Sequence, residues 1–210
     1  MADDPVAVLD FWLGEVGPEG WYAVDPEVDE TIRERFGDLW QAARDGGLDH
    51  WTEGTVGSLA FLILTDQFPR NMFRGSAEAF ATDPLARDCA RKAIAADWDL
   101  GAPEPERQFF YLPLEHSEAP EDQAEAVRLF QERMPETGTE GLLHAHAHAA
   151  IIARFGRFPF RNAALGRTST PEEEAFLAEG AYAAEVRRLR GEAPRSRAPG
   201  AAVAQAREMV

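Results

Sequence analysis

Lysine is almost missing from this 210-residue chain: Lys92 stands alone among 21 basic residues, and the rest are arginine. Arginine use is thus a chain-wide habit, and the position of a guanidinium says more than its identity. Cysteine is nearly absent too. A single Cys89 excludes an internal disulfide and a cysteine-based metal site, and its neighbours place it on a buried helix face as an inert thiol. No apolar run approaches the ~18 residues that cross a membrane. The opening Met1-Ala-Asp-Asp-Pro5 is acidic, so no secretory leader is expected there and a cytoplasmic location is. Positive charge is scarce overall. A net charge of −16 argues against general affinity for nucleic acid or anionic membranes. The reverse deficit occurs locally: from Gly141 to Pro171 there is no Asp or Glu, while Arg154, Arg157, Arg161 and Arg167 lie there with three histidines.

Alternation of apolar and polar residues between hairpin turns is also lacking, so no strand is expected. What is present is helical. Asp4-Pro5, Asp25-Pro26, Asp83-Pro84 and Thr170-Pro171 each place a capping side chain before a proline suited to a first helical position. Glu173 completes a capping box with Thr170. Val28, Ile32, Phe36, Leu39, Trp40 and Ala43 keep a helical period up to Gly46-Gly47. The first helix is expected to end near Gly14, followed by a Gly/Pro-rich connector to Gly20. The reading is all-α, built from antiparallel helix pairs, with one domain over 1–190 and a disordered tail over 191–210.

The stretch from Leu59 to Gly75 organises the rest. Leu59 to Leu64 is uniformly apolar, as in a helix buried all round, and a polar cluster of Asp66, Gln67, Arg70, Asn71 and Arg74 follows. Phe68-Pro69 is expected to end the helix, leaving Asp66 in its last turn, where the macrodipole disfavours an anion. Such an acid needs a partner, Arg70 or Arg74. An echo appears later: Phe68-Pro69-Arg70-Asn71 recurs as Phe158-Pro159-Phe160-Arg161-Asn162, each after an apolar helix. Two similar corners suggest two similar helical hairpins.

Three constellations carry chemistry. His144 and His148 share one helix face while His146 points away; a pair alone is no metal site, and none is expected. Leu114-Glu115-His116-Ser117-Glu118 offers a base, a hydroxyl and two acids, but adjacent side chains diverge and no nucleophile elbow is present. Ser117 reads as a cap, and His116 and His148 remain the acid/base candidates. Arg70, Arg74, Arg154, Arg157 and Arg161 lie at ends of apolar helices, so they are paired or face a cleft. They either pair internally with Asp66, Glu115 and Glu118, or grip an anion such as phosphate or carboxylate. The candidate ligand-binding set is Asp66, Gln67, Arg70, Asn71, Arg74, His116, Glu118, His148, Arg154, Arg157, Arg161 and Asn162. No cofactor is implied. Two functions stay open: a protein, enzymatic or not, that binds a small anion, and a scaffold that holds a peptide or protein.

Val8-Leu-Asp-Phe-Trp12, Asp66-Gln-Phe-Pro-Arg-Asn71, Phe73-Arg-Gly75, Tyr111-Leu-Pro-Leu114 with His116-Ser-Glu118, and Arg154-Phe-Gly-Arg-Phe-Pro159 with Arg161-Asn162 together resemble the bacterial domain-of-unknown-function family 924. The resemblance spans roughly Pro5 to Gly180. It implies an all-helical, right-handed tetratricopeptide-like superhelix and no established activity. The chain departs from the family pattern at two positions, with Glu115 where methionine is common and Phe160 where histidine is common.

Overall fold

The computed structural model describes residues 4–192, and these fold as helices with no strand among them. Residues 193–210, most of the expected tail, lie outside the described residues. Among the described residues no helix is long and apolar enough to cross a membrane.

Helix α1 (Pro5–Leu9) is capped by Asp4, whose side chain accepts from the Val6 N–H. Gly14 does not stop it. A π-helical stretch, Asp10–Val16, carries the chain on into α2 (Gly17–Gly20), so most of the expected connector is helical. Helix α3 (Pro26–Arg44) starts on the Asp25 cap and buries Ile32, Phe36, Trp40 and Ala43 on one face, as its periodicity requires.

The organising stretch holds the main surprise. Helix α4 (Thr55–Leu62) runs into a π-helical segment, Ile63–Gln67, and then directly into α5 (Phe68–Met72). The expected helix end at Phe68-Pro69 is therefore wrong. The wide turn lets the Phe68 N–H bond to the Ile63 carbonyl, five residues back, and Pro69 follows with no N–H to place. Two carbonyls of this segment accept side-chain donors inside the core. Thr65 O accepts from the Thr82 hydroxyl at 2.6 Å, and Asp66 O accepts from Arg70 Nη1 at 2.6 Å. Asp66 thus sits in mid-helix rather than in a last turn.

Helix α6 (Asp83–Ala95) buries Cys89, whose thiol burial pushes up to about 12. The short α7 (Leu112–Glu115) precedes α8 (Pro120–Arg133) and α9 (Thr139–Phe155), which pack on each other. Helices α10 (Pro171–Ala178), with its Thr170–Glu173 capping box, and α11 (Ala181–Leu189) close the domain against α9. The main core is aromatic, joining Phe11, Trp12, Phe68 and Phe109 edge to face, with Phe36 tilted against Phe11 and Phe68. A smaller core joins Ile151, Ile152 and Phe158 to Phe176 and Tyr182.

Gly57, inside α4, is where that helix crosses the preceding turn: a Cβ there would overlap the Trp51 carbonyl oxygen. Gly57→Ala is expected to cost about 2–3 kcal/mol, because backbone rather than a side chain must yield. Urea denaturation checks this. Wild-type stability would mean that the two segments separate freely.

Candidate functional site

A cavity of about 360 Å³ opens between the α1–α2 end, the loop before α7, and helices α8 and α9. Its rim is exposed at Pro18, Thr137 and Glu140. Its walls are apolar, with Trp21, Leu112, Phe130 and Met134. Its buried floor is polar and consists of Glu115, His116 and His148. Such a volume lies at the lower end for small-molecule pockets.

His116 ends α7, in a turn that Gln123 of α8 ties down by donating to the Glu115 and Ser117 carbonyls at 2.6 Å each. Its Nδ1 lies 2.9 and 3.0 Å from the two Asp66 oxygens. Burial would raise the Asp66 carboxyl, but Arg70 and His116 outweigh it and hold the group down at about 2. The ionised acid accepts the Nδ1 proton and turns Nε2 to the opposite edge of the ring. Burial lowers His116 below its ordinary 6.5, with Arg70 and Arg161 adding to this and Asp66 opposing it. At neutral pH His116 is therefore an uncharged imidazole with a free electron pair on Nε2, the form a general base needs.

The arginines stand behind this pair rather than in front of it. Arg70 grips Asp83 with two nitrogens, at 2.9 and 3.1 Å, and approaches Asp66 at 3.3 Å. Arg161 lies between the Phe80 and Phe158 rings, 4.7 and 4.6 Å from their centroids, and donates to the His116 carbonyl at 2.9 Å. Its distance to Asp83 is 3.8 Å. Burial and the neighbouring Arg70 lower Arg161 to about 10, so it stays a cation at neutral pH. The two Phe-Pro corners of the sequence do bring their arginines to one place, around Asp83 and Phe80.

The other predicted site residues go elsewhere. Gln67 donates to Asp66 at 2.6 Å. Asn71 and Arg74 clamp Asp29 in the first turn of α3. Arg157 and Asn162 likewise hold Glu173 in the first turn of α10. Arg154 pairs with Glu172 at the surface. Glu118 accepts from Arg167 and from the Phe158 N–H, and these hold it below the usual range against the opposing effect of burial. Of the twelve, only His116 and His148 line the cavity, and no arginine does.

His148 Nδ1 lies 2.7 Å from Glu115 Oε1 and 3.0 Å from the His144 carbonyl. A nitrogen facing two acceptors carries the proton. His148 Nε2 and Glu115 Oε2 are both buried without a partner. His144, on the same face of α9, meets the Tyr182 hydroxyl at 2.5 Å, and burial lowers it. His146 points outward, as its spacing requires.

The sequence offered Glu115 as a partner for the arginines and left it out of the candidate site, whereas it pairs with His148. It also missed Tyr22 and Gln108, bonded to each other at the cavity wall. The Trp21-Tyr22 pair is conspicuous in sequence, but nothing local says that it faces α7.

The family described as bacterial protein of unknown function DUF924 matches residues 8–181. A solved structure of a protein of unknown function from Agrobacterium tumefaciens is similar to this chain, with 44% identity and a TM-score of 0.78. The match covers 83% of this chain and 97% of that one. No protein of curated description matches.

Proposed function

The chain belongs to the DUF924 family of bacterial proteins, and we propose that it binds a small organic molecule in the α7–α9 cavity, with His116 as a general base. One observation carries this reading: the Asp66–His116 pair stands on a floor where His148 Nε2 and Glu115 Oε2 are buried without partners. Asp66 would fix the imidazole tautomer and stabilise the imidazolium formed when Nε2 takes a proton from the ligand, as an acid does in a Ser-His-acid triad. The arginines act through position. Arg70 keeps Asp66 ionised, and Arg161 anchors the backbone of His116.

A scaffold that holds a peptide along a groove has less support. Glu115 and His148, each with one unpartnered buried atom, stand at the bottom of a cavity, whereas a peptide groove would display its polar residues along exposed helix faces.

Ligand-observed NMR with a fragment library tests the proposal. Binders should shift the ring resonances of His116 and His148. Their affinity should fall in acid, once His116 protonates at a pH below its ordinary 6.5. If no fragment moves these rings, or if affinity is flat across the His116 titration, the reading fails.

A further inference from the structure

The donors and acceptors of the cavity are unevenly used, and the imbalance selects a ligand. Tyr22 O–H donates to Gln108 Oε1, and Gln108 Nε2 donates to the Pro105 carbonyl. His116 Nδ1–H is engaged by Asp66, and His148 Nδ1–H by Glu115 and the His144 carbonyl. Apart from the second Gln108 amide proton, the protons of these four side chains already point at protein acceptors. Acceptors are what remain. Glu115 Oε2 has no partner, and His116 offers the electron pair of Nε2. His148 Nε2 is also unpartnered, its ring proton being on Nδ1. Charge agrees with this census. Glu115 lines the cavity and no lysine or arginine does, while Glu140 at the rim is already paired with Arg190. The Trp21 and Phe130 walls give a cation aromatic faces as well as apolar cover.

We infer that the cavity takes a protonated amine: a small molecule with an apolar body and an ammonium head held against Glu115, His116 and His148. The inference rests on the cavity being a ligand site and adds the class of ligand. It also replaces the anion expected from the arginines, which are all engaged elsewhere. An ammonium supplies donors, and the unpartnered atoms of the residues on this floor are acceptors. A carboxylate or phosphate would instead meet the Glu115 carboxylate with no cation to offset it.

Calorimetric titration at neutral pH, with sodium chloride matched throughout, tests this. Phenethylamine and hexylamine serve as probes, with hydrocinnamate and hexanoate as their anionic counterparts. The amines should bind and the carboxylates should not. Glu115→Met, close in volume, should weaken amine binding by about tenfold or more, as loss of a hydrogen bond to a charged group does. His148 keeps its bond to the His144 carbonyl in that variant. Glu115→Gln provides a second variant should the first not fold, with a loss in the same direction. Binding by the carboxylates alone would overturn the amine assignment and leave the cavity as a ligand site. Amine binding unchanged in both variants would overturn it equally. If all four compounds fail to bind, both the amine assignment and the cavity reading fall.

Discussion

Arg70→Met is expected to destabilise the protein by about 3–5 kcal/mol, whereas Arg161→Met is expected to cost only about 1–2 kcal/mol. Both guanidinium groups are buried, and they lie around the same acid. They differ in what they leave behind. Arg70 makes both short bonds to Asp83 and also neutralises Asp66, so its loss strands two carboxylates in the core. Arg161 gives up one bond to a carbonyl and a 3.8 Å approach to Asp83, while its Nε and Nη2 have no partner to lose. A methionine there can keep the packing between Phe80 and Phe158. Urea denaturation of both variants gives the comparison, and pH supplies a second check. The Asp66 carboxyl is depressed from 3.8 to about 2. Its contribution is therefore complete above 3.8 and disappears as pH falls toward 2. The penalty for Arg70→Met should shrink over the same window. Equal costs for the two variants, or a penalty for Arg70→Met that does not change with pH, would refute this division of roles.

Much of this arrangement is legible in the sequence, and the parts that are not share a cause. The helix starts at Pro5, Pro26 and Pro171 follow from local capping chemistry, and the structure has them. That Arg70 is near enough to pair with Asp66 also follows from spacing, although the helix end expected to make that partner necessary is not there. The course of the chain through Pro69 does not. A π turn is a change of hydrogen-bond register, and residues that favour it look like residues of any helix. Asp83 shows the same limit. Before Pro84 it reads as a cap, yet Thr82 precedes the helix and Asp83 lies within it, turned to Arg70. Asp29 and Glu173 likewise look like ordinary first-turn acids but receive Asn71 with Arg74 and Asn162 with Arg157. A carboxylate that serves a distant arginine carries no local mark of it. This is why the arginines suggest an anion site when read alone. Their partners are hidden among the helix starts.

Asp66→Asn tests whether the buried acid controls the chemistry of the cavity, and its expected effect is a reversal of the His116 tautomer. The amide has the shape of the carboxylate but only one acceptor oxygen. Gln67 Nε2 donates to Oδ2 at 2.6 Å, while the charged Arg70 Nη1 approaches Oδ1 at 3.3 Å and keeps the amide oxygen on that side, so Gln67 must turn its own amide oxygen toward the new nitrogen. The amide nitrogen is then left facing His116 Nδ1, to which it can only donate. His116 must accept at Nδ1 and carry its proton on Nε2, so an acceptor on the cavity floor becomes a donor. Ring ¹⁵N shifts should exchange between the two nitrogens. Phenethylamine affinity should fall by about tenfold, while Glu115 and His148 are untouched. Stability should fall as well, by roughly 2–4 kcal/mol, because Arg70 loses one of its two buried counter-charges. Two outcomes would count against control by Asp66. One is an unchanged tautomer, which would show that something else sets the His116 proton. The other is a reversed tautomer with full amine affinity, which would mean that His116 takes no part in holding the ligand.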